Sequence, residues 1–242
     1  MSQNKPAFVL TGQISLFIIF LLTVLYATPL TGVVWDFANA LGYVAVAYFL
    51  LLFVFHGKQK VYPLFKGHFF TRFHRDLGFG AFILTFLHIV ILLIQEPLLL
   101  EHLKLSAPWY MLSGLLASLL MVILVLSSLV RFRSRIWKDY RRFQWTHKWG
   151  AILLVMLIGF HIVGSGYYMN SPFKVILLSA FCLGTLLHYV HEQKTKTLDI
   201  QIRVKSSKHT SAWISFSLMT LFSIATLIVI ILQHKYFSNV AS

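Results

Sequence analysis

Eleven of the 242 residues are histidine, and four of them share one spacing. His74 and His88 are 14 residues apart, and so are His147 and His161. On a helix, fourteen steps of about 100° fall about 40° short of four full turns. Both members of each pair therefore look out from nearly one face, roughly 21 Å apart along the axis. A neutral imidazole is a common ligand for a transition metal. Two such rows facing each other could hold metal at two levels.

The segments that carry these histidines are apolar. Hydrophobic residues make up 58% of the chain and charged residues 12%, against about 45–50% and about 25% in a soluble domain. The mean hydropathy is +0.76. This excludes a soluble enzyme, a disordered chain and a disulfide scaffold. A spanning helix needs about 20 mostly apolar residues. Seven runs qualify: Phe8 to Ala27, Phe37 to Phe55, His74 to Ile94, Trp109 to Val130, His147 to Tyr167, Phe173 to Val190 and Trp213 to Leu232. The first is too long for the core of a signal peptide and is read as a retained helix. The expected fold is an all-α integral membrane bundle of six core spans plus a seventh. Residues 1–190 form the core, 191–212 a cytoplasmic loop, and 213–242 the seventh span with a short external tail.

Lys and Arg number 21 against 7 Asp and Glu. Eighteen of the basic residues fall at the N-terminus and in or beside alternate connections: Lys58 to Arg75, Arg131 to Lys148, and Lys194 to Lys208. The other side keeps Lys104, Lys174 and Lys235. That alternation places the N-terminus in the cytoplasm, with a bacterial inner membrane as the expected location, and it disfavours a nucleic-acid partner. The lone Cys182 lies in an apolar run and is read as a small buried hydrophobe. The stretch Leu198 to Val204 alternates like a strand but has no sheet to join, so it is read as a loop. No internal repeat, low-complexity tract, Gly-rich phosphate loop or CxxC is evident.

Runs three and five cross in the same direction. His74 then lies at the depth of His147, and His88 at the depth of His161. Intramembrane ionisable groups are costly and usually functional. Two facing imidazoles suit six-coordinate haem iron, and iron at two depths would carry electrons across the apolar core. Porphyrin beside a helix needs small neighbours: Gly78 follows His74, Gly150 follows His147 and Gly164 follows His161, while Thr85 is the smallest residue a turn from His88. Arg72, Arg75, Arg141 and Arg142 could meet the propionates of an inner haem. A divalent-metal permease could use the same histidines, but such sites normally add carboxylates or thiols. A structural or assembly protein is a third reading. His188 and His191 share a face of run six and are read as structural or interfacial, a contact to the inner haem or a substitute ligand being the other option. His56, His68, His102, His209 and His234 are read as solvated. Tyr167, Tyr168 and the tryptophans around 109 and 137–149 are read as interfacial aromatics.

The stretch His74-Arg75-Asp76-Leu77-Gly78 through Leu87-His88, followed by Tyr140-Arg141-Arg142-Phe143-Gln144-Trp145-Thr146-His147 through Phe160-His161, resembles the ferric-reductase-like transmembrane domain. That superfamily includes ferric reductases, NADPH oxidases and the haem-binding subunit of the periplasmic methionine sulfoxide reductase system. The resemblance covers residues 8–190. It implies b-type haems, with His74 and His147 on the inner iron and His88 and His161 on the outer. It also implies an oxidoreductase electron-transfer subunit. Relatives that oxidise NADPH continue into cytoplasmic flavin and nucleotide modules. About fifty residues follow run six here, so the expected donor is a separate flavoprotein, a quinol or another redox partner. A quinol-linked cytochrome b subunit of a larger oxidoreductase is a variant of the same reading.

Overall fold

The computed structural model describes residues 14–16, 18, 20, 31–55, 69–137, 139–194 and 210–240, and among them there is no strand. The helices are α1 (Val33–Val54), α2 (Phe69–Gln95), α3 (Trp109–Ser128), the short α4 (Val130–Ile136), α5 (Tyr140–Ser165), α6 (Pro172–Lys194) and α7 (Thr210–Val240), with a 3-10 segment, Pro97–Leu103, after α2. All but α4 are long and apolar enough to span a bilayer, six spans among the described residues. Even the 20-residue α3 reaches about 30 Å, the thickness of a hydrocarbon core. This is an all-α, multi-pass membrane bundle. Of the run Phe8 to Ala27, only Ile14, Ser15, Leu16, Ile18 and Phe20 are described, as helix. Phe20 is buried with its ring 4.6 Å from that of Phe181 on α6. Leu198 to Val204, His56, His68 and His209 lie outside the described residues.

Helix ends follow local chemistry. α5 starts seven residues ahead of the apolar run at His147, because Asp139 caps it: its carboxylate accepts the Arg141 N–H at 2.9 Å. A carboxylate there also faces the positive end of the helix dipole. α5 ends where Gly166 takes a left-handed conformation, φ 63°, which glycine adopts without a Cβ penalty.

α1 is the hub. In its most apolar stretch 78% of the residues are buried, against 11–22% in the other spans. A helix that is apolar all round belongs inside, and α1 packs against α2, α6 and α7. α3 packs chiefly on α5. The outer helices keep a lipid face. On α5, Trp149, Leu153, Met156, Phe160 and Val163 are exposed, a stripe at steps of three and four on the side away from His147 and His161. α7 is tied to the hub by Tyr48, which donates its hydroxyl to the Ser215 carbonyl at 3.1 Å and sets its ring edge-on to Phe222. The Tyr48 ring passes over Gly80, where a Cβ would stand 2.9 Å from it.

Candidate functional site

α2 and α5 run parallel and bring all four histidines into the two anticipated pairs. At the end of the bundle that carries Arg72, Arg75, Arg141, Arg142 and α4, the rings of His74 and His147 lie 6.3 Å apart between centroids. At the far end His88 and His161 are within electrostatic reach of each other. All four imidazoles are half-buried. A metal–imidazole bond of about 2 Å on each side puts two rings that share one metal roughly 6 Å apart, and the first pair has that separation. α2 and α5 are not themselves a closely packed pair, so their side chains meet without the backbones closing together.

The hydrogen bonds fix the tautomers. His88 donates from Nδ1 to the Ala38 carbonyl at 2.8 Å, His161 to the Tyr110 carbonyl at 2.8 Å, and His74 to the Leu52 carbonyl at 3.1 Å. A carbonyl only accepts, so Nδ1 holds the proton and Nε2 keeps its lone pair. Anchoring one nitrogen to a carbonyl is how proteins orient an imidazole for metal. His147 is the exception: its Nδ1 is buried with no partner.

These contacts expose a repeat that the sequence reading did not find. Tyr110 follows Ala38 by 72 residues, Gly114 follows Gly42 by 72, and Leu124 follows Leu52 by 72, while His147 follows His74 and His161 follows His88 by 73. In each half, a far-end histidine bonds a carbonyl four residues before a glycine on the neighbouring helix. A Cβ on Gly42 would stand 3.1 Å from the His88 Nδ1, and one on Gly114 would stand 2.6 Å from the His161 Nδ1. Both glycines make room for the far-end rings, and sequence reasoning missed them. The available signal was the match of His88-Ile89-Val90 with His161-Ile162-Val163. By the repeat, His147 should bond the Leu124 carbonyl. That oxygen instead accepts the Ser127 hydroxyl at 3.2 Å.

The expected small neighbours divide. Gly78, one turn beyond His74, has nothing within 4 Å of where a Cβ would be, so it leaves open space beside the first pair. Gly150 and Gly164 do not. A Cβ on Gly150 would meet Leu124 at 2.9 Å, and one on Gly164 would meet Tyr110 at 2.4 Å. These two glycines let α5 close on α3 and leave no room for a cofactor. Arg75 pairs with the adjacent Asp76 at 2.8 Å. Arg141 and Arg142 line an open groove of about 500 Å³ with Trp137, Trp145 and Thr146. Among the described residues no three His, Cys, Asp or Glu side chains converge as a metal-ion site. Two-histidine sites, an orphaned buried nitrogen on His147 and open space at Gly78 suit a macrocycle that brings donors of its own better than a bare ion. His188 and His191 are exposed on α6, and Cys182 packs against the core.

The far end holds a polar cluster that the sequence reading did not anticipate. Asp36, 2% exposed, accepts the backbone N–H groups of Thr31 and Gly32 and the Tyr168 hydroxyl at 2.6 Å, and its Oδ2 lies 2.8 Å from the His234 Nε2. His234 is thus a partner of Asp36 and not a solvated histidine. Tyr168 is buried, and Lys174 is buried with its Nζ on the Tyr168 carbonyl. Burial first, and then the bond to Asp36, pushes the Tyr168 hydroxyl above its ordinary range, so it stays protonated and donates.

Fold and site together define a polytopic helical membrane protein with paired intramembrane histidines. The profile of the family described as ferric reductase like transmembrane component matches residues 41–165, over half of the chain, and the chain belongs to that family. No curated protein and no solved structure gives a match.

Proposed function

We propose that this protein is a di-haem b-type cytochrome that moves single electrons across the membrane. A separate flavoprotein or a quinol would supply them, and an acceptor on the opposite side would receive them. The observation that carries this reading is the set of paired imidazoles with Nδ1 tied to carbonyls. His74 and His147 would hold one haem, and His88 and His161 the other. Bound haem supplies one-electron iron chemistry. The chain's own residues do the rest. The carbonyls of Leu52, Ala38 and Tyr110 hold three rings in the ligating tautomer. Gly42 and Gly114 let the far-end rings reach those carbonyls. The apolar faces of α2 and α5 insulate the path between two sites about 21 Å apart along each helix. The arginines near His74 and His147 offer cations to carboxylates.

The excess of Lys and Arg at the His74 and His147 end supports a cytoplasmic placement of that end. The donor would then meet the basic face of α4 and the start of α5. A divalent-metal permease is less well supported, because the imidazoles come in twos and a bare ion would need further protein ligands.

The test is a reduced-minus-oxidised spectrum of the purified protein with a haem-to-protein ratio. A Soret band, a redox-dependent α-band and about two haems per chain are expected. Stoichiometric binding of divalent ions with no haem would favour the permease.

A further inference from the structure

The cluster around Asp36 lies outside the matched family segment and joins four elements: α1, the turn after α5, α6 and α7. Two backbone N–H groups and the Tyr168 hydroxyl donate to Asp36, and the His234 Nε2 lies 2.8 Å from its Oδ2. Three donors on its oxygens suit the ionised form of Asp36, which only accepts. The His234 side chain is 24% exposed, against 2% for Asp36, so it is the more accessible member of the pair. Asp36 is also close to the far histidine pair. Ala38, two residues further along α1, supplies the carbonyl that holds His88.

We propose that His234 and Asp36 form a proton-binding site coupled to the His88 and His161 pair, in which His234 takes up a proton from the surrounding water when an electron arrives at that pair and releases it when the electron leaves. The proposal rests on the electron-transfer reading above. An electron adds one negative charge to a poorly screened region. Protonated His234 makes the ion pair neutral, and neutral His234 leaves Asp36 as a bare anion beside the same site. Reduction is therefore easier with His234 protonated. The other ionisable groups at this end are Tyr43 on α1, Glu96, Glu101, His102 and Lys104 after α2, Tyr110 on α3, Tyr167 and Tyr168 in the turn after α5, Lys174 on α6, and Lys235 and Tyr236 on α7. Tyr167 and Tyr168 are held above their ordinary range, largely by burial. Histidine is the side-chain type in this group whose ordinary range spans neutral pH, and His234 is the histidine that touches Asp36.

The test is a spectroscopic redox titration of the full-length protein between about pH 5 and pH 8.5, across the usual histidine range. It follows the haem component that His88→Ala removes. In the wild type its midpoint potential should fall as the pH rises. His234→Gln keeps a hydrogen-bond donor without the charge, and its potential should be low and independent of pH. His234→Arg keeps the charge permanently, and its potential should be high and independent of pH. If His234→Gln does not fold, the wild-type and His234→Arg titrations still decide. A flat wild-type titration, or a wild-type slope retained in either variant, overturns the proposal while leaving the haem assignment standing. A protein that binds no haem overturns the electron-transfer reading and this proposal with it.

Discussion

The ring of His74 stands 6.3 Å from the ring of His147, although the helices that carry them are not closely packed on each other. Each helix is held instead by its own partner, α2 by α1 and α5 by α3. The histidines therefore face each other across a seam between two helix pairs, where each pair can position its imidazoles independently.

Substitution of either member of a pair should remove one cofactor and spare the other. His74→Ala and His147→Ala are expected to share one phenotype, and His88→Ala and His161→Ala another, each with about half the wild-type haem. Haem extraction and quantification per chain checks this. Two haems retained in the His88→Ala, His161→Ala double variant would refute the pairing.

The glycines should separate packing from cofactor space. Gly114→Ala places a Cβ 2.6 Å from the His161 Nδ1. It should displace that ring, lose the far-end haem and cost about 1–3 kcal/mol of stability, as overpacking does. Gly78→Leu meets no such obstacle. It should leave the melting temperature of haem-free protein nearly unchanged while lowering haem content at the His74 and His147 pair. Equal haem content in Gly78→Leu and wild type would place the cofactor elsewhere.

Purified protein supplied with NADPH alone should not reduce its haem, and a flavin reductase or a quinol should restore reduction. Stopped-flow absorbance at the α-band measures both. Rapid reduction by NADPH with contaminating reductase excluded would mean that the chain itself accepts hydride.

Orientation follows from the basic face. A reporter active only outside the cytoplasm should be active when fused after Ser242 and inactive when fused near Lys194. Activity at the second site would invert the proposed direction of transfer.

Much of the site is legible in the sequence because its rule is periodic. Two histidines 14 residues apart on an apolar helix share a face by helix geometry alone, and alternating charge makes α2 and α5 parallel. Helix type follows as directly, because a bilayer leaves the backbone few ways to satisfy its hydrogen bonds. The carbonyl anchors are not legible there. Ala38, Leu52 and Tyr110 contribute only backbone oxygens, which any residue type could provide.

Composition and periodicity by themselves determined that this chain is a helical membrane bundle with two histidine pairs at matched depths. The tertiary structure decided which small residues serve the site and which serve packing. Gly150 and Gly164 read like cofactor neighbours yet close α5 on α3, while Gly42 and Gly114 lie on other helices and make room for the rings. It also decided the environment of Asp36. A lone carboxylate at the end of an apolar run looks solvent-facing in sequence. Its burial depends on Tyr168, 132 residues away, and His234, 198 residues away, because a buried charge is tolerated only where distant segments fold back to supply its donors.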